Sequence, residues 1–411
     1  MIARPTLRAD ATVIALVGLA HATSHLFHLL LPPLFPLLMQ EFRFGFTEAG
    51  FLMTVFFSIS GVGQAFAGVV VDRYGARRVL MAGIGLLAIS ALVLASVTSY
   101  TGLLFSVALS GVGNAVFHPA DFCLLNKKVS VQRLGYAFSV HGLSGNLGWA
   151  MGAAISGTAL VWLGWRAAGL AAAALALLSF VALLLAKPLL DDDNQKVGVG
   201  GTAPIMAGGV FGFLKVPVIW LAFLFFLLIT AAFGGLQSFS APVLSGLYGL
   251  TSAVAVGALT GYLLGSAGGM VAGGIIAVRV HSHERTVSAS LIVAALCAAI
   301  LASALPPAWG VLPLMVGIGL GVGVAGPSRD LLVRRAATDA VPTGKASPAF
   351  GRIYGFVYSG LDVGLALGPV AFGLLLDAGG RNWVLPGVAA LQVLAIFTVL
   401  AMGRRITPAG A

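Results

Sequence analysis

Hydrophobic positions in this chain come in long unbroken runs, not in the short amphipathic periods of a soluble protein. About 20 apolar residues are needed to cross ~30 Å of hydrocarbon. Twelve runs qualify: 11–38, 47–71, 79–98, 101–126, 134–162, 166–187, 217–244, 250–277, 286–305, 309–334, 347–376 and 383–402. Each predicts a membrane-crossing helix. Between the second and third runs lies Gly68-Val-Val-Val-Asp72-Arg73-Tyr-Gly75-Ala-Arg77-Arg78, a charged turn that cannot lie in hydrocarbon and is therefore a water-side hairpin. Gly68 and Gly75 let the helix ends approach and turn. Asp72 can cap or pair with the start of another helix, where the macrodipole is positive. Gly164-Trp-Arg166 must form a very tight turn between the fifth and sixth runs.

The polar positions outside the runs orient them. With the N-terminus inside, every one of the 23 Lys and Arg residues except Arg43, Arg166 and Arg381 falls on the same side. Short cytoplasmic loops collect Lys and Arg, so that side is cytoplasmic and both termini are expected there. The longest polar stretch, from Lys187 to Lys215 with Asp191-Asp-Asp193 inside it, reads as a flexible cytoplasmic linker. It divides the chain into a six-helix block over 1–187, a linker over 188–216 and a six-helix block over 217–411.

The blocks look like copies. Gly274-Ile-Ile-Ala-Val278-Arg279 stands where a second copy of the charged turn belongs, with Val278 replacing the aspartate. Gly111-Val-Gly113 with Pro119 parallels Gly319-Leu-Gly321 with Pro327, and Gly148 and Gly152 correspond to Gly364 and Gly368. Six spans per block give both the same orientation, which implies two parallel bundles with a pathway between them.

Composition removes the alternatives. At 59% hydrophobic and 9% charged residues the chain cannot be a soluble globule, for which about 25% charged residues is usual. The net charge of +10 suggests nucleic acid, but the basic residues are scattered over loops without an aromatic-laced surface. Cys123 and Cys297 both lie in apolar runs and make neither a disulfide framework nor a metal site. The first run lacks a cleavage site and is expected to remain as a span. No Gly-x-x-x-x-Gly-Lys-Ser/Thr occurs, so an ion gradient is expected to supply the energy, with no cofactor and no enzymatic step.

Polar and ionisable groups inside the runs are costly and are functional candidates by default. His21, His25 and His28 in span one, at i, i+4 and i+7, fall within a stripe of about 60° on a helix. Span four carries Asn114, His118 and Asp121, and Pro119 should bend the helix there. Span five carries His141 in line with Gly145, Gly148 and Gly152, a ridge that reads as a close helix contact. Span eleven carries Asp362 near mid-membrane, with Tyr354 and Tyr358 below it. Gln237 and Arg329 are secondary candidates, Arg329 alternatively anchoring the end of span ten. Imidazole changes protonation near neutral pH, which favours His21, His25 and His118 for proton handling. The same stripe allows a metal alternative, with His21, His25, His28 and His118 as ligands for zinc, nickel or copper and Asp121 able to complete the set.

The pattern Gly68-x-x-x-Asp72-Arg73-x-Gly75-x-Arg77-Arg78, placed between the second and third spans, resembles the loop signature of the major facilitator superfamily. Within it, three stretches resemble the fosmidomycin-resistance branch: Gly18-Leu-Ala-His21 with Leu31-Pro-Pro-Leu-Phe-Pro36, Gly111-Val-Gly113-Asn-Ala-Val-Phe117-His118-Pro119, and Gly142-Leu-Ser-Gly145-Asn146-Leu-Gly148. The resemblance implies a proton-driven exporter of small, often anionic molecules. The branch usually has an Asp one turn after the first histidine, where this chain has His25. The span-four arginine of many proton antiporters is Val107 here, and span five lacks their Gly-Pro pair.

The expectation is therefore an all-α, twelve-helix secondary transporter in two six-helix bundles, a monomer in a bacterial inner membrane. Its partners are a small-molecule or ion substrate, protons and lipid, and not nucleic acid. Asp72 with Arg73 and Arg77 is expected to stabilise one gating state. The alternatives are an uptake carrier for a metabolite, metal or metal chelate, and a non-transporting sensor.

Overall fold

The computed structural model describes residues 6–44, 46–159, 163–191, 212–339 and 350–405, and among them the regular structure is entirely helical. In chain order the helices are α1 Leu7–His28, α2 Phe35–Phe42, α3 Phe46–Tyr74, α4 Ala76–Ser96, α5 Tyr100–Asn114, α6 Phe117–Lys128, α7 Leu134–Thr158 and α8 Trp165–Leu185. There follow α9 Lys187–Leu190, α10 Pro217–Tyr248, α11 Ser252–Ala277, α12 His283–Ala302, α13 Val311–Asp339, α14 Phe350–Asp377 and α15 Val384–Gly403. Among the described residues, 11 helical segments are long and apolar enough to cross a membrane. The fifth apolar run appears as α7, of 25 residues, and is not one of the eleven. The centre of the polar linker, including Asp192 and Asp193, lies outside the described residues.

Large apolar side chains point away from protein: Phe66 is 56% exposed, Phe105 61%, Leu264 69% and Phe397 63%. A water-soluble protein would bury such groups, and here they face lipid. The polar side chains go the other way, His21, His25, His28, His118, Asp121 and Asp362 all being buried. The chain is a multi-pass membrane protein.

Local sequence explains the breaks. Pro119 lacks an N–H, and its ring clashes with the carbonyl four residues earlier, that of Ala115. Span four breaks there, between the end of α5 at Asn114 and the start of α6 at Phe117. Pro327 does not have this effect, and α13 runs through it. Gly75, at φ 91°, makes the turn from α3 into α4, and Gly164, at φ 77°, the turn into α8. L side chains disfavour both conformations.

The helices cluster into two compact units. The first is Met1–Arg133, Leu143–Ala203 and Ala349–Ser359; the second is Leu134–Gly142, Pro204–Pro348 and Gly360–Ala411. Thus α7 gives its first turns to the second unit, and α14 gives its first turns to the first. Within each unit, glycines set the same close approaches. In the first, a Cβ on Gly111 would strike the Phe56 carbonyl of α3, and one on Gly113 would crowd the Gly83 carbonyl of α4. In the second, Gly319 meets the Tyr262 carbonyl of α11 and Gly321 the Ser290 carbonyl of α12. The sequence repeat is thus a repeat of helix contacts. Likewise Gly148 and Gly152 of α7 lie on the Ala22 and Leu26 carbonyls of α1, while Gly364 and Gly368 of α14 lie on the Leu227 and Ala231 carbonyls of α10.

One ion pair braces the first unit. Asp10, fully buried in the first turns of α1, accepts from the backbone N–H of Ser130 (3.2 Å), the Ser130 hydroxyl (2.5 Å) and Arg133 Nε (2.6 Å). Asp10→Ala leaves those donors without their acceptor, a cost of about 2 kcal/mol. The thermal midpoint of the detergent-purified protein is expected to fall by several degrees, and an unchanged midpoint would show the brace carries no stability.

Candidate functional site

The polar centre of the first unit is built on α1. His21, His25 and His28 sit on one face, with ring centroids 4.2 Å apart for His21–His25 and 4.7 Å for His25–His28. His118 of α6 joins them from across the unit, 5.4 Å from His21 and 6.1 Å from His25. All four are at most 6% exposed. The close approach is possible because α7 presents glycine here. A Cβ on Gly145 would lie 2.8 Å from His25 Nδ1 and 2.9 Å from His21 Cε1. Gly355 serves α14 in the same way, its Cβ position lying 2.6 Å from the Gln64 carbonyl. This brings Tyr358 over His118, stacked at 4.6 Å, with Phe122 beside it at 4.7 Å.

The hydrogen bonds separate these histidines into two kinds. Trp149 Nε1 donates to His28 Nδ1 (3.3 Å), and an indole N–H can only donate. His28 is therefore neutral, with its proton on Nε2, which donates to Asn114 Oδ1 (3.1 Å). That oxygen also accepts from the Ser24 hydroxyl, and Asn114 Nδ2 donates to the Ser60 hydroxyl (2.8 Å). His28 is thus a satisfied member of a buried network and stands apart from the metal set read from the sequence. His118 is different. Its Nδ1 donates to the Gln64 side-chain carbonyl (2.6 Å), which puts the lone pair of its neutral form on Nε2. His21 Nδ1 lies 3.2 Å from the Ser144 hydroxyl. His21, His25 and His118 bring one ring nitrogen each to within 4.8 Å of the others, and a carboxylate oxygen of Asp121, fully buried, is equally near His21.

The remaining candidates belong to the second unit. His141 and Asp362 are buried there, at 4% and 2% exposure. Gln237 is exposed on α10. Arg329 is held by its neighbour Asp330, Nε to Oδ1 at 2.8 Å, and lies over the Phe226 ring at 4.5 Å. That geometry packs α13 against α10.

In the charged turn, Asp72 does not pair with its own arginines. It accepts from the backbone N–H groups of Gly351 (3.2 Å) and Arg352 (3.3 Å), the first turn of α14, and from Arg352 Nε (2.7 Å). Orphan N–H groups and the helix dipole both favour a carboxylate at that position. Gly68 packs directly on the Gly351 carbonyl. Arg77 instead donates to the Leu183 and Leu184 carbonyls at the end of α8, at 3.2 and 3.3 Å. Arg73 lies over the Tyr74 ring, and Arg78 is exposed. A helix C-terminus offers the unpaired carbonyls that a guanidinium seeks, which explains why Arg77 turns away from Asp72. In the second unit Val278 packs against Gly135 of α7, the position equivalent to Gly351. The charged contact of one copy is apolar in the other.

Gln64, Ser144, Arg352 and Asp330 were not singled out from the sequence. Gln64 had a usable signal, a polar amide inside an apolar span. Arg352 had only that of a basic residue at a membrane edge, which the positive-inside pattern already accounts for.

A lipid-facing exterior, buried titratable groups within spans, and a duplicated helix scaffold define an integral membrane carrier. The Major Facilitator Superfamily model matches residues 17–347, and the chain belongs to that superfamily. It is a transporter, not an enzyme. It is 28% identical over 401 residues to YfnC of Bacillus subtilis, an uncharacterized MFS-type transporter, covering 94% of this chain and 92% of the relative. The fosmidomycin resistance protein of Escherichia coli is 28% identical over 145 residues, 35% of this chain and 36% of that protein. The human voltage-gated purine nucleotide uniporter SLC17A9 is 28% identical over 139 residues, 31% of this chain and 30% of that protein.

Proposed function

We propose that this transporter exports a small organic, often anionic, solute in exchange for protons, by alternating access across a bacterial inner membrane. The observation that carries the reading is the buried group His21, His25, His118 and Asp121, placed inside spans where ionisable residues are retained for transport chemistry. The similarity to a resistance protein supports export, and that to a nucleotide carrier supports an anionic organic cargo. In this reading the chain crosses twelve times, with α7 as the additional crossing, and works as a monomer with both termini cytoplasmic. The blocks over 1–187 and 217–411, joined by the linker over 188–216, are its two rocking halves. His25, His118, Asp121 and, in the second unit, His141 and Asp362 handle protons and substrate, with Tyr358 as the aromatic wall beside His118. Asp72 of α3, bonded to the first turn of α14, is the latch of one gating state.

The cargo is to be found by screening a strain deleted for this protein, scored for both resistance and accumulation. Proteoliposomes loaded with that cargo then test the coupling. His25→Ala and Asp362→Asn are each expected to lose flux driven by a pH gradient while keeping downhill exchange. Unchanged gradient-driven flux in both variants would remove these residues from the coupling.

A further inference from the structure

We infer that His21, His25 and His118 form a binding site for a divalent transition-metal cation of the zinc and nickel class, with Asp121 supplying negative charge beside it. The inference concerns binding at equilibrium and stands whether or not the proton-coupled export reading holds.

The donor set fits the cation. Three imidazole nitrogens from two helices lie within 4.8 Å of one another. Bonds of about 2.1 Å from a tetrahedral ion put its ligand atoms about 3.4 Å apart, a closure within reach of small side-chain rotations. Imidazole nitrogen is the donor that zinc, nickel and copper take, whereas magnesium and calcium need oxygen cages.

The second layer fits as well. A ligating histidine normally gives its other N–H to a carbonyl or carboxylate, which fixes the tautomer and aims the lone pair at the metal. His118 does this through Gln64, and His21 has the Ser144 hydroxyl at its Nδ1. Gln64 comes from α3 and Ser144 from α7, so two further helices orient ligands carried by α1 and α6. His28 lies outside the set. One turn further along the same face, both its nitrogens are committed to Trp149 and Asn114, as a packing histidine requires. Charge is also available. A dication in a low-dielectric span needs an anion, and the Asp121 carboxylate has an oxygen within 4.8 Å of a His21 ring nitrogen. Three nitrogens leave coordination positions open, the arrangement of a site that exchanges its ligands and not of a closed structural one. The absence of a side chain at Gly145 gives the His21 and His25 rings the room they occupy.

The test uses the full-length protein, purified in detergent, stripped with chelator and titrated with ZnCl2, NiCl2 and MgCl2. Calorimetry and the thermal midpoint are read together. Zinc and nickel are expected to bind with Kd on the order of micromolar and raise the midpoint, while magnesium does neither. His25→Ala and His118→Ala should abolish the effect. Gln64→Ala, which touches no metal, should weaken it 10–100-fold. If a histidine variant fails to give a single folded species, the wild-type titration and Gln64→Ala still decide. No response to zinc or nickel at millimolar concentration overturns the inference. So does a response that survives in both histidine variants, since it would arise elsewhere, for example at His281 and His283. Loss of pH-driven flux with intact metal binding would count against the export reading alone.

Discussion

Asp72→Asn is expected to lower transport turnover at least tenfold while leaving the apparent affinity for cargo within a few-fold. The Asp72 carboxylate takes three N–H donors from Gly351 and Arg352. Hydrogen bonds to a charged group contribute about 1.5–3 kcal/mol each, and the amide of Asn keeps a single acceptor oxygen and no charge. A loss of only about 1.4 kcal/mol shifts an equilibrium tenfold, so the state held by this contact becomes a minor one. The substitution lies away from the histidine group, which is why affinity should hold. Stopped-flow or counterflow measurements in proteoliposomes give both quantities. Arg352→Gln leaves Asp72 its two backbone donors but removes the only positive charge in the contact, whose side chains are 9% and 17% exposed, and it should be as harmful as Asp72→Asn. The double variant should then be no worse than either single one. Additive losses, or a large affinity loss with normal turnover, would remove the latch from the mechanism. Val278→Asp places the missing carboxylate into the second copy against Gly135, where no arginine occupies the position equivalent to Arg352; Tyr136 stands there instead.

The contrast between Asp72 and Val278 shows what a sequence can and cannot disclose here. Spacing along one helix was readable, because 3.6 residues per turn dictates which side chains share a face. The His21–His25–His28 stripe, the break before Pro119 and the turn at Gly164 all follow from that kind of local rule. Duplication was readable too, since corresponding glycines mark corresponding helix contacts. What a face meets is another matter. His28 and His118 look alike in sequence, and the arrival of Trp149 and Asn114 at one and Gln64 at the other gives them different tautomers. Likewise the charged turn shows that Asp72 can meet the start of another helix, but not which helix that is. The partners of Asp72 lie 279 and 280 positions away on α14, and those of Arg77 lie 106 and 107 positions away on α8. Partner choice depends on tertiary packing, which has no period.

Glycine packing carries the second large effect. Gly148→Leu is expected to prevent recovery of folded protein, or to lower its thermal midpoint by ten degrees or more. The Cβ position at Gly148 falls on the Ala22 carbonyl and lies 2.8 Å from His25 Cβ, and neither atom can move away as a flexible side-chain tip can. The helices α1 and α7 must separate, losing the close contact that small residues provide in place of a hydrophobic driving force inside lipid. Overpacking typically costs about 1–3 kcal/mol, and backbone obstruction along a whole helix seam falls at or above that range. Gly368→Leu should behave equally badly, because its Cβ position falls on the Ala231 carbonyl in the α10–α14 seam of the other unit. Gly257→Leu supplies the comparison: it is also a helical glycine, but nothing lies within 4 Å of its Cβ position, so its midpoint should stay within a degree or two of wild type. Size-exclusion profiles after heating rank the three variants directly. Equal tolerance at all three sites would mean that the glycines are not what sets helix separation. The packing argument for the histidine group would then fail, because it rests on the closeness of α7 to α1 beside Gly145.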